Sequence, residues 1–365
     1  MHLLHVLAAA LPLCTRISAL PSSDYQHREG KDATFYKGFD LSSVATLEER
    51  GVVYKDTQRN NRTRPVEDIL GDGGMNTVRL RLWVNPTPGL YTVPGNYDLN
   101  YTLTLTQRFS KKGYKIYLDY HFSDYWAEPG HNNAPLAWPT DLAGLSSTLR
   151  AYVKDTLVAF AEGGIDLSLV SLGNEIRNGM LWPLGRVDVD LAPAARAASF
   201  SNLATLYASA PEAWFGALTA TGKVSRRDWD VFGFSSYPFY GTSATLQNLQ
   251  TSLNAIGAAY GEPVHVVETD WPAICDGPYA PVLSDTSVPI SPAGQIEWVR
   301  DIVRIVKAVP NGLGQGVNYW EPAWLNNTGL GSSCQDAILF DADWSEYPTE
   351  IVGYSRPSVN MFKDV

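Results

Sequence analysis

The chain has 365 residues, 45% of them apolar, enough for one large core and a better match to a single α/β barrel than to two average domains. Its formal net charge of −10 argues against a nucleic-acid partner, because phosphate binding needs clustered Lys and Arg.

The N-terminus reads as a secretory signal over residues 1–19: Leu3 to Cys14 is apolar, and Ala19 follows as a small cleavage position. That run is too short to span a bilayer as a helix, and no other stretch is long and apolar enough. The expected product is a secreted, extracellular protein, with no membrane partner and acting as a monomer. Residues 20–33 read as a flexible polar leader, and 34–365 as one catalytic domain without a linker or repeat. Cys14 leaves with the signal. Cys275 and Cys334 remain, each shortly after a strand-end motif, so that they can bridge neighbouring loops. Asn-x-Thr triplets at Asn61, Asn100 and Asn326 are candidate glycosylation sites.

From Phe35 onward, short apolar runs alternate with helical stretches, the βα pattern of a parallel sheet. Strands are expected at 35–41, 76–84, 115–122, 167–175, 231–237, 264–268 and 315–320. Helices are expected at 98–112, 141–162, 192–209, 243–259 and 292–308. The interval between 175 and 231 is too long for one helix yet holds no convincing strand.

Side chains alternate across a strand, so parity sorts them by face. Arg79, Arg81 and Trp83 share one face of the second strand. Tyr117, Asp119 and His121 share one face of the third, and Glu175 shares its face with Gly173 and Ser171 in the fourth. This recurring polar face suits a barrel interior leading to a wet mouth, since a parallel sheet flanked by helices is covered on both sides.

Two strand candidates close on glutamates, Glu175 and Glu268. Carboxylates at the C-terminal ends of barrel strands suggest an active site there. Two facing carboxylates can cleave a glycosidic bond, and the retaining route needs them about 5–5.5 Å apart. In that reading Glu268 attacks the anomeric carbon and Glu175 is the general acid, then the general base. Asn174 can hydrogen-bond a sugar hydroxyl. Arg79 or Arg81 can hold Glu268 ionised, the other being a structural ion pair. Tyr237 can hydrogen-bond the nucleophile. His121, Asp124, Trp126, Trp271, Trp320 and Trp324 are further candidates for substrate contact, with Trp320 as a stacking floor. His121 can equally be a satisfied core histidine. No second His or Cys sits at ligand spacing, so neither a metal nor another cofactor is expected.

At these motifs the chain resembles glycoside hydrolase family 53, the arabinogalactan endo-β-1,4-galactanases, in its fungal form. The matching stretches are 38–43, 76–86, 119–127, 171–177, 181–183, 236–240, 267–272, 319–324 and 331–334, spread over most of residues 35–340. The resemblance implies a (β/α)8 TIM barrel and retention of configuration. It implies an acid/base at Glu175, a nucleophile at Glu268, and action on the β-1,4-galactan of pectin. It also suggests a Cys275–Cys334 bridge and, as for fungal rather than bacterial members, no calcium. The chain departs from the family at two places. Asp270 stands where the family usually has Asn, which puts a second carboxyl beside the nucleophile. The family's fifth strand has no counterpart near residue 210, so that strand is expected to be lacking or degenerate. Two other readings follow. One is a catalytically impaired galactan-binding protein. The other is a related β-1,4-glycanase acting on mannan or glucan.

Overall fold

The structure, a computed structural model, describes residues 34–86, 96–186, 229–240, 243–276, 280–325 and 336–365. The expected signal, the leader, the 192–209 helix, the fifth-strand region, Asn326 and Cys334 lie outside these residues.

In chain order the described elements begin with β1 (Tyr36–Asp40), α1 (Val44–Glu49), β2 (Val52–Asp56), β3 (Arg62–Thr63), α2 (Val66–Asp72) and β4 (Thr77–Leu82). Next come α3 (Leu99–Lys111), β5 (Lys115–Tyr120), α4 (Leu142–Glu162) and β6 (Leu167–Leu172). The last group is β7 (Phe232–Ser235), α5 (Leu246–Tyr260), β8 (Val264–Glu268), α6 (Pro292–Lys307), β9 (Gly314–Tyr319), β10 (Phe340–Asp343) and β11 (Ile351–Ser355). All seven expected strands and the four expected helices inside the described residues are present. The helix ends follow local chemistry. Asp141, Thr245 and Ser291 each accept a hydrogen bond from the backbone N–H three residues on, and Pro292 occupies the first turn of α6.

The main sheet has the order β6-β5-β4-β1-β9-β8-β7. β1 pairs in parallel with β4 and β9, and β8 does so with β7 and β9. The two end strands, β6 and β7, are less buried than β4, every residue of which is buried.

Internal contacts divide the chain into two compact units. The first includes 81–107 and 118–230. Its described core rests on α4, where Leu145, Leu149, Val153 and Phe160 form one buried stripe at helical spacing. The second unit comprises 36–80, 108–117 and 231–365. Here α6 buries Trp298, Val299, Ile302, Val303 and Val306. This unit also carries a four-stranded sheet of order β10-β11-β2-β3 that the sequence reading does not include. Its strands are short. β2 alternates Val52, Tyr54 and Asp56 inward with Val53 and Lys55 less buried, and Tyr54 anchors it by donating to the Ala323 carbonyl at 2.8 Å. Its outer strands carry Arg62, Asp341 and Asp343, charges that discourage edge-to-edge pairing.

Candidate active site

Glu268 is the last residue of β8 and is 5% exposed. Arg79, from β4, places Nη2 2.7 Å from Glu268 Oε1. The Tyr237 hydroxyl donates to Glu268 Oε2 at 2.7 Å. Both carboxylate oxygens are therefore gripped by charge-assisted contacts, the strong class of hydrogen bond. The Arg79 guanidinium also lies 2.9 Å from Asp40 Oδ2, and Asp40 Oδ1 in turn accepts from the Ser42 hydroxyl at 2.6 Å. One cation is thus shared by two carboxylates. Tyr237 reaches its place through a register slip between β7 and β8 at Phe234/Ser235, an irregularity of the kind that re-aims side chains next to active sites.

The segment after Glu268 is clamped from behind. Thr269 donates to the Ser236 carbonyl and accepts from Trp298 Nε1 at 2.9 Å. Gln295 Nε2 and the Tyr319 hydroxyl both donate to the Trp271 carbonyl. Trp271, expected at the sugar, is fully buried: it stacks on Trp298 at 4.7 Å and donates Nε1 to the Pro289 carbonyl. It belongs to the packing that fixes the strand end. Burial, with the charge of Glu268 adding to it, pushes the Asp270 carboxyl well above the ordinary carboxylate range. Trp320 and Trp324 are half-buried, as stacking surfaces need to be. Tyr240, 56% exposed beside Tyr237 at 5.7 Å, joins these aromatics as a candidate contact that the sequence reading did not single out. Its signal was its place in the aromatic run 236–240.

Glu175 has a different setting. The strand was expected to run to Glu175, but β6 ends at Leu172. Gly173 takes φ +108°, Asn174 is buried, and half-buried Glu175 adopts φ 46°, ψ 47°, in the left-handed region. A Cβ on Gly173 would lie 2.6 Å from Ile176 Cγ2, so only glycine fits this turn. Alternation therefore stops at Leu172, and the expected sharing of a face by Ser171, Gly173 and Glu175 does not hold. The Asn174 Nδ2 donates to the Ala127 carbonyl at 2.7 Å.

The remaining candidates sort by their partners. Arg81 sits between two rings, its guanidinium carbon 4.4 Å from the Tyr97 centroid and 4.5 Å from that of Trp126. Trp126 is half-buried and packs edge-on against Trp83 at 5.3 Å. Asp124, expected at the substrate, accepts from the backbone N–H of Asn85 at 3.0 Å and of Leu136 at 2.8 Å, tying two loops together. Burial raises its carboxyl above the ordinary range. His121, also expected there, lies just past β5. Its Nδ1 accepts from the Ala127 N–H at 3.0 Å, and its Nε2 lies 3.1 Å from Asp119 Oδ2. Both ring nitrogens are engaged within the protein, an arrangement that suits a satisfied core histidine.

Asn61 and Asn100 are exposed, as glycosylation would require. Cys275 is disulfide-bonded. Among the described residues no group of three or more His, Cys, Asp or Glu is arranged to hold a metal ion, and no helix is long and apolar enough to cross a membrane.

The profile of glycosyl hydrolase family 53 matches residues 36–349. The chain is 39% identical over 359 residues to the probable arabinogalactan endo-β-1,4-galactanase A of Aspergillus fumigatus, covering 93% of this chain and 96% of that protein. It is 39% identical over 352 residues to arabinogalactan endo-β-1,4-galactanase A of Aspergillus niger, covering 91% and 95%. A solved chain from a study of two fungal β-1,4-galactanases matches with TM-score 0.77 and 35% identity, over 91% of this chain and 100% of that one. The Ignisphaera aggregans GH53 catalytic domain matches in fold, with TM-score 0.72 and 23% identity over 92% and 97%. The fold class is accordingly the α/β TIM barrel, and the chain belongs to glycosyl hydrolase family 53.

Proposed function

We propose that the protein is a secreted endo-β-1,4-galactanase that cleaves the galactan of pectic arabinogalactan with retention of configuration. The observation that carries this reading is the Glu268 carboxylate at a parallel strand end, held by Arg79 and Tyr237 at 2.7 Å each. Oriented by these two contacts, the Glu268 carboxylate attacks the anomeric carbon and forms a glycosyl ester. Glu175 protonates the departing glycosidic oxygen, then takes a proton from the water that hydrolyses the ester. Asn174 hydrogen-bonds a hydroxyl of the sugar being cleaved. Trp320, Trp324 and Trp126 present ring faces to the apolar faces of galactose units. Relatives named as arabinogalactan endo-β-1,4-galactanases, at 39% identity, support the choice of polymer.

The test is release of reducing ends from unbranched β-1,4-galactan, with mannan and glucan in parallel, and NMR of the first-formed anomer. Short galacto-oligosaccharides of retained β configuration are expected from galactan alone. Preferential cleavage of mannan or glucan would replace the substrate assignment. Galactan retardation in an affinity gel without reducing ends would replace enzyme by binding protein.

A further inference from the structure

We propose that the buried Asp119–His121 pair is a positioning unit that sets the orientation of the Asn174 amide through the backbone of Ala127. This rests on the reading of Asn174 and Glu175 as the acid/base end of the site. The chain of contacts is continuous. Asp119 Oδ2 lies 3.1 Å from His121 Nε2, His121 Nδ1 accepts from the Ala127 N–H at 3.0 Å, and the Ala127 carbonyl accepts from Asn174 Nδ2 at 2.7 Å. Each of these side chains is at least nine-tenths buried, at 0% exposure for Asp119, 3% for His121 and 9% for Asn174.

Two backbone groups make the polarity of this chain unambiguous. An amide N–H only donates, so His121 Nδ1 carries a lone pair and the ring proton sits on Nε2, facing Asp119. A carbonyl only accepts, so the Asn174 NH2 edge faces Ala127 and its oxygen edge is turned the other way. Without the acceptor at Nδ1, the Ala127 N–H would be a buried donor with nothing to bond. It would draw the 126–128 backbone out of place, and the Asn174 anchor with it. The Trp83 and Trp126 ring centroids each lie 6.1 Å from that of the imidazole, and His121 is only 3% exposed, which leaves water little room to substitute for it. Second partners of this kind commonly fix the tautomer and aim of a working group. Asp119 and His121 act through Asn174 and touch no substrate themselves.

The experiment combines NMR on the whole enzyme with a variant series. In the unmodified protein, ¹⁵N shifts of His121 should report a neutral ring protonated at Nε2. A proton on Nδ1 overturns the proposal with no variant needed. His121→Phe fills the volume but offers no acceptor, so kcat/KM on galactan should fall about 10- to 100-fold, mostly in kcat. The Asn174 side-chain NH2 resonances should broaden or shift. His121→Asn places its side-chain oxygen where Nδ1 stood and should recover most of that loss. In an Asn174→Ala background, His121→Phe should cost almost nothing further, because the two act as one unit. Additive losses, or a His121→Asn variant no better than His121→Phe at equal Tm, would show a purely structural histidine. If the wild type leaves galactan uncut, the functional reading fails, while the tautomer and the Asn174 signals still decide the positioning claim.

Discussion

Glu268 and Glu175 are both strand-end glutamates in the sequence, yet the structure holds them in different ways. Glu268 ends a regular strand at 5% exposure, and side chains from β4 and the β7 end grip both its oxygens. Glu175 lies three residues past its strand, half-buried, in a left-handed turn that Gly173 makes possible. The proposed chemistry gives this contrast a meaning. A nucleophile must stay ionised and aimed, which fixed cationic and hydroxyl donors achieve. An acid/base must gain and lose a proton in each cycle, so its backbone is set while its carboxyl keeps some access to solvent. Burial acts the other way at Asp270, pushing its carboxyl well above the ordinary carboxylate range, with the charge of Glu268 adding to it.

The contrast can be tested by separate losses. Glu268→Ala should abolish turnover of every galactoside, by about 10⁴-fold or more, measured as reducing ends. Glu175→Ala should cost about 10²–10⁴-fold on galactan, but far less in the first step with aryl galactosides whose leaving group needs no proton. Equal losses on both substrates would erase the assigned division of roles. Tyr237→Phe removes one of the two grips on Glu268, and a hydrogen bond to a charged group contributes about 1.5–3 kcal/mol, so kcat should fall roughly 10- to 100-fold. Gly173→Ala should lower stability by about 1–3 kcal/mol through the positive φ and the clash with Ile176, visible as a reduced Tm.

The smallest expected effect is that of Asp270→Asn. The folded chain keeps the Asp270 proton at a pH where the unfolded chain has released it. Folding therefore takes up a proton, and this residue's contribution to stability falls as pH rises above about 3.9. An amide keeps the shape and never ionises. The Tm of Asp270→Asn relative to wild type should thus climb between pH 4 and pH 7, and a flat difference would show that Asp270 is ionised in the native protein.

Much of this was legible along the chain. The βα alternation located the seven described strands of the main sheet, and the cap residues marked where α4, α5 and α6 begin. Other features were not. β2, β3, β10 and β11 are short, and β11 pairs with β2 from about three hundred residues away, so no local pattern announces that sheet. Parity failed at Glu175 because it presumes extended backbone, and Gly173 ends that two residues earlier. His121, Asp124 and Trp271 looked like binding residues because they follow strand ends beside aromatic motifs. Their hydrogen bonds to Ala127, Leu136 and Pro289 turn them inward, and nothing in the spacing shows which way a side chain faces once the strand has ended.

The sequence alone determined the parallel βα order, the two glutamates and the strand positions of Arg79 and Arg81, because periodicity and strand-end position are local properties. Only the tertiary structure decided that Arg79 grips Glu268, that Trp271 backs the strand end, and that Asp270 is driven toward neutrality. Those outcomes depend on distances between residues far apart in the chain and on how completely each is removed from water, and both are settled only when the elements pack.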